Sequence, residues 1–225
     1  MDERLESTRA VYDATADQYA RTVGTEVTAE FEAPLDRSIL RGFVDRLRDR
    51  GCTRVADLGT GVGRIARFLH ERDLSVVGID LAPGMVAVAR NAHPSIPFAA
   101  ASLFDLPFAH DSLDGAVCWY SIIHTAPDEL EQPFEEIARI LRSEREVLFG
   151  FQAGDGTPIV RTEAHGTAHT LTNYRHDPDD IARRLAVSGF EVSQCAIRST
   201  ALSHETSPQA FIVARSAPSK SRSPR

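Results

Sequence analysis

Two carboxylates and a run of glycines define the chemistry open to this 225-residue chain. Val55-Ala56-Asp57-Leu58-Gly59-Thr60-Gly61-Val62-Gly63 reads as a strand tip passing into a helix. Glycines suit that place because the chain turns sharply and a ligand must come close to the backbone. A dinucleotide fingerprint wants Gly-x-Gly-x-x-Gly/Ala, but Arg64 occupies the slot of the third small residue. Asp57, two residues before Gly59, is expected to aim its carboxylate into the pocket, repelling a pyrophosphate and attracting an ammonium or sulfonium group. Asp80 closes Val76-Val77-Gly78-Ile79-Asp80-Leu81, about twenty residues further on, where an acid accepts hydrogen bonds from ribose hydroxyls. Gly-Lys-Ser/Thr is absent, which excludes a phosphate-binding loop. The pair calls for a ligand with a ribose at one end and a positive charge at the other.

Histidine supplies the remaining chemistry. His124 follows Trp119-Tyr120-Ser121-Ile122-Ile123, just past an apolar strand, at the sheet edge where open α/β folds bind ligands. Imidazole titrates near neutral pH, so His124 is either a general base or a residue that shapes the pocket wall. Trp119 and Tyr120 are read as packing groups. His165, His169 and His176, with Tyr174 and Arg175, lie in a stretch over 152–176 rich in Gly, Thr and His, either a solvated loop or a wall. Tyr12 and Tyr19 stand seven residues apart on one helical face, which fits core packing or a lid. Cys52, Cys118 and Cys195 are too few and too scattered for a disulfide framework or zinc site, and all read as buried small hydrophobes. No carboxylate cluster suggests a metal.

The elements that position these residues follow from periodicity. Apolar stripes predict helices over 4–20 and 34–50. From residue 53, short apolar runs alternate with helical segments: strands at 53–58, 74–79, 96–101, 113–119 and 146–151, helices at 63–72, 83–91 and 127–141. That rhythm predicts a Rossmann-like, doubly wound α/β fold with a mostly parallel seven-stranded sheet and helices on both faces. A helix over 178–188, ended by Gly189, precedes strands at 190–197 and 209–215, read as a C-terminal antiparallel pair. The chain divides into a helical cap (1–50), a ligand-binding core (53–151) and a substrate-side insert with the final strands (152–215), all one domain. Residues 216–225 read as a disordered tail.

The motifs together resemble the class I S-adenosylmethionine (SAM)-dependent methyltransferases, especially the small-molecule branch. Val-Ala-Asp-Leu-Gly-Thr-Gly-Val-Gly is similar to that family's first motif and Val-Gly-Ile-Asp-Leu to its second. Ala82-Pro83-Gly84-Met85, Asp105-Leu106-Pro107-Phe108, Ser112 to Val117, Ile137 to Arg142 and Tyr12-Asp13-x-x-Ala16-x-x-Tyr19 extend the likeness. The resemblance implies SAM as cofactor, S-adenosylhomocysteine (SAH) as product and no metal. It places Tyr19, Asp57, Gly59, Thr60, Gly61, Asp80, Leu81, Met85, Ser102, Leu103 and Trp119 around the cofactor, with Met85 against the adenine. Tyr12, Tyr120, His165, His169 and Tyr174 would then face the acceptor. Ala101-Ser102-Leu103 stands where relatives often carry an acid, leaving adenine to the Leu103 backbone and a hydroxyl. Ser143-Glu144-Arg145-Glu146 replaces a Pro-Gly-Gly turn, which alters a surface turn only.

Methyl transfer to an O or N atom of a small-molecule acceptor is therefore expected, with His124 as its base. A SAM-binding module without catalysis and a nicotinamide-dependent oxidoreductase are the rival readings. A net charge of −7 with interleaved signs does not favour a nucleic-acid partner. Met1 to Glu6 lacks a secretory signal, and no apolar stretch spans a membrane, so a cytoplasmic setting is expected. Oligomeric state is not legible.

Overall fold

A computed structural model of the chain describes residues 3–162 and 167–218. Five strands, β1 (Arg54–Leu58), β2 (Ser75–Asp80), β3 (Phe98–Ala100), β4 (Leu113–Trp119) and β5 (Leu141–Gln152), run parallel. With β8 (Phe190–Arg198) and β9 (Gln209–Ser216) they form one seven-stranded sheet ordered β3-β2-β1-β4-β5-β9-β8. β9 is antiparallel to both β5 and β8, so it is the one reversed strand. This is the expected doubly wound sheet with its C-terminal antiparallel pair.

Alternation along the strands sends successive side chains to opposite layers. Val55, Val117, Leu148 and Val213 pack with α2 (Pro34–Asp49), α3 (Arg64–His70) and α4 (Pro83–Ala92). Ala56, Cys118, Phe149 and Ile212 pack on the other side with α5 (Glu131–Ile140) and α6 (Pro178–Val187). Helix bounds follow local chemistry. Pro34 opens α2, where its missing N–H costs nothing. Asp177 caps α6 through the Asp179 amide, and Gly189 ends it at φ 86°.

Three expectations change. The stretch over 152–176 is not wholly irregular: β6 (Pro158–Arg161) and β7 (Leu171–Tyr174) form a separate antiparallel hairpin. Cys195 is exposed, whereas Cys52 and Cys118 are buried. The segment at 143–146 is more than a surface turn. The pairing of β5 with β4 slips there, Glu144 takes φ 59°, and Glu146 is buried under Arg46, Arg50 and Arg215. His165 lies outside the described residues, as do 219–225 of the expected tail.

The first helix, α1 (Glu3–Val23), lies across the C-terminal edge of the parallel strands. Its Asp13 accepts a hydrogen bond from the Gly84 amide at 2.6 Å, which caps the first turn of α4. Ser7 reaches the Thr170 carbonyl at 2.6 Å, tying α1 to the approach of β7.

Gly59 is required twice over. Its φ is 77°, and a Cβ there would stand 2.2 Å from the Cβ of Ser121. Gly59→Ala should cost about 2–5 kcal/mol from left-handed strain and overpacking together. Urea denaturation of the variant measures that loss.

Candidate active site

A cavity of about 420 Å³ opens between α1 and the C-terminal ends of β1, β2 and β4. The topological switch point of an open α/β sheet lies at such an edge, where the crossovers leave in opposite directions from neighbouring strands. Gly59, Gly61, Asp80 and Leu81 line it from the first two strands, and Met85 from α4. Ser102 and Leu103 follow β3 on the wall, while Trp119, Tyr120 and His124 follow β4. Tyr12 and Tyr19 close the cavity from α1 with their rings edge-on, 6.1 Å apart.

Asp57 does not face this space. Its side chain is turned under the loop and the residue is 1% exposed. One carboxylate oxygen accepts the Thr60 hydroxyl at 2.6 Å and the Ala66 amide at 2.9 Å. The physical reason lies in the helix that follows. Gly63 sits at the N-cap of α3 and has no side chain to satisfy the helix's first amides. Asp57 supplies that acceptor from the strand, and Thr60 turns with it, so neither residue lines the cavity. Burial pushes the Asp57 pKa up to about 7 against the pull of these two hydrogen bonds.

Asp80 does line the cavity. Its two oxygens accept the Gly61 and Ala82 amides at 2.7 and 2.9 Å, so the second acid steadies both loops while facing the ligand space. Burial raises its pKa to about 6. Ser102 accepts the Phe104 amide at 3.2 Å, bending the loop after β3. Trp119 stacks on Phe211 with centroids 5.3 Å apart, and its indole N–H has no hydrogen-bond partner among the described residues.

His124 is held from both sides. Its Nδ1 lies 3.0 Å from the Thr172 carbonyl, and its Nε2 lies 2.8 Å from the Tyr12 hydroxyl. A carbonyl only accepts, so Nδ1 carries the proton and Nε2 of the neutral ring accepts from Tyr12. Burial raises the Tyr12 pKa, with neighbouring Tyr19 and Asp80 adding to it and Arg161 opposing. His169 is exposed and off the wall; Tyr174 is buried with its hydroxyl towards Arg4, also off the wall.

Four groups of wall residues are not foreseen by any sequence motif. Glu32 and Arg64 form a forked ion pair at 2.6 and 3.2 Å. Arg161, Leu171 and Asn173 come from the hairpin, and Gln152 and Gln209 from β5 and β9. His204 and Glu205 belong to the loop between β8 and β9, pinned where Arg198 forks onto Asp36 and Glu205 at 2.5–2.8 Å. The slot of Arg64 showed only that a glycine was missing. Among the described residues no group of three His, Cys, Asp or Glu could hold a metal ion, and no helix is long and apolar enough to cross a membrane.

Residues 55–144 match the family model described as a methyltransferase domain. The chain is 28% identical over 127 residues to malonyl-(acyl-carrier protein) O-methyltransferase of Enterobacter lignolyticus, covering 56% of this chain and 50% of that protein. It thus spans about half the length of that relative. Magnesium protoporphyrin IX methyltransferase from Synechocystis PCC 6803, solved with bound SAM, superimposes with a TM-score of 0.70 at 18% identity, covering 96% and 99% of the two chains. The 4+2 cyclase SpnF superimposes with a TM-score of 0.71 at 16% identity, covering 94% and 96%. Residues 55–144 thus carry a methyltransferase-domain match, and the fold is that of Rossmann-like methyltransferases of known structure.

The raised Asp57 pKa has a consequence for stability. A carboxyl with a higher pKa in the folded state holds protons that the unfolded chain releases. Its contribution is complete below about 3.8 and is lost as pH climbs through about 7. Asp57→Asn should flatten the fall in stability between pH values of about 3.8 and about 7, read from urea unfolding at each pH.

Proposed function

We propose that this protein transfers the methyl group of SAM to an oxygen or nitrogen of a small molecule, with His124 accepting the proton. The observation that carries this reading is the His124 hydrogen-bond pattern, which leaves a fixed Nε2 acceptor on the cavity wall beside Tyr12.

The wall suits the cofactor. Asp80 presents a carboxylate to the ribose hydroxyls, and Leu81, Met85 and Leu103 give apolar surface for adenine. Asp57 being turned away, the paired Glu32 and Arg64 offer the opposite charges that the ammonium and carboxylate of the methionine moiety require. SAM supplies a methyl group on a sulfonium, already a good electrophile. The protein's work is alignment, exclusion of water and removal of one proton. Tyr12 donates to Nε2, so a hydroxyl or amine acceptor reaches the imidazole either by displacing Tyr12 or through its hydroxyl. The Thr172 carbonyl stays on Nδ1 and stabilises the imidazolium as it forms.

A binding module without methyl transfer is the second reading, favoured by the Tyr12 hydroxyl already lying on Nε2 of His124. The two separate on function. Calorimetry should show SAH binding and NAD not binding; NAD binding without SAH would end the proposal. Asp80→Asn should weaken SAH by about 1–3 kcal/mol through the lost charged hydrogen bond. Labelled-methyl screening of hydroxyl and amine compounds should yield an acceptor. For that acceptor His124→Ala should lower kcat by about 10²–10⁴ with SAH affinity kept; unchanged turnover at every pH would leave His124 a wall residue.

A further inference from the structure

The hairpin that sequence patterning left as a loop presents one chemically coherent face. Arg161 pairs with Leu171, and Ile159 with Asn173, in the β6–β7 register. Paired residues and alternate residues of a strand share a face. Arg161, Leu171 and Asn173 therefore project from one side, and all three line the cavity. Val160 and Thr172 alternate to the other side, and Val160 is exposed.

The charges of the cavity wall can be set against one another. Glu32 is paired with Arg64, and Glu205 with Arg198. Asp80 accepts the Gly61 and Ala82 amides and faces the part of the cavity assigned to the ribose. Arg161 is the charged wall residue that has no carboxylate partner among the described residues, and it sits close enough to Tyr12 for its charge to act on the hydroxyl. Two buried polar residues on the same wall, Thr8 on α1 and Asn173 on β7, each hold a side-chain oxygen without a hydrogen-bond partner. The Thr8 hydroxyl and the Asn173 Nδ2 can donate to a carboxylate, while the unpartnered Asn173 Oδ1 accepts from a hydroxyl or amine of the ligand. Around them the surface is apolar, from Leu5, Ile123 and Leu171.

We propose that the acceptor is a small organic acid with an apolar body, held by its carboxylate on Arg161 at the hairpin side of the cavity. One guanidinium with neutral donors balances one negative charge; a phosphate dianion would leave a second charge uncompensated. The proposal names the substrate class of the methyl-transfer site and rests on that reading of the cavity. Arg161 also sets the direction in which the acceptor lies, with its far end towards Tyr12 and His124.

The test uses the full chain and the probe pair benzoate and benzamide, which share a shape and differ in charge. Ligand-observed NMR titration should show saturable benzoate binding and benzamide about tenfold weaker or worse. Arg161→Gln should weaken benzoate by about tenfold or more, Arg161→Lys should restore much of it, and Val160→Gln on the opposite hairpin face should leave it unchanged. Absence of saturable benzoate binding, equal binding of benzamide, or an unaffected Arg161→Gln variant each overturns the proposal. Calorimetry with SAH on the same samples keeps the two readings apart. Wild type that fails to bind SAH sinks the methyl-transfer reading, while the anion site still stands or falls on benzoate.

Discussion

A single buried carboxylate organises the ligand-binding end of this molecule. Asp57 leaves the tip of β1, folds back beneath the glycine loop and holds both the Thr60 hydroxyl and the Ala66 amide. Because Gly63 cannot cap α3, the helix and the loop share one acceptor reaching over from the strand. The loop's outer surface is then backbone and glycine, which lets a ligand lie close. Gly61 is in turn fixed to Asp80, so the tips of β1 and β2 are joined by a hydrogen bond as well as by the sheet. In the proposed reading Asp57 acts on the cofactor by shaping the surface and not by meeting its charge. The opposite charges near the loop come from Glu32 and Arg64 instead.

The acceptor side obeys a different constraint. His124 sits in a short 3-10 turn after β4, and that turn alone would leave its ring free to rotate. Thr172 on the hairpin and Tyr12 on α1 fix the ring between two elements far apart in sequence. The ring position on which the proposed base depends thus exists only when helix, hairpin and sheet edge are assembled together. Desolvation of Tyr12 in the same place keeps its hydroxyl protonated, so it donates to the imidazole.

The regular framework was legible because it obeys strong periodicities. β4 was read from Leu113 to Trp119 with its ends correct, since all seven of its residues are buried and turn residues bound it. The wall positions at Gly59, Gly61, Asp80 and Met85 were legible because strand-tip motifs tie residue type to place. Asp57 was misread because its type fitted two roles, and only the missing side chain at Gly63 could have told a cap from a ligand contact. The hairpin was missed because strands of four residues separated by Gly, Thr and His carry too little alternation to stand out. Glu32, Arg161 and Glu205 were invisible for a further reason: each joins the cavity through contacts that span many residues, which no local pattern encodes.

The helix α1 carries Leu5 and Thr8 at one end of the cavity and Tyr19 at the other, with roughly 16 Å of one rigid rod between Thr8 and Tyr19. Such a rod acts as a lever. Tilting it to admit a bulkier acceptor would lift Tyr19 from the glycine-loop side at the same time. The hairpin's wall side chains can change without such a shift, provided the Thr172 carbonyl keeps its place on His124. New acceptor preferences are therefore easier to reach by changing the hairpin than by moving the helix, and descendants of this chain would diverge first at β6 and β7.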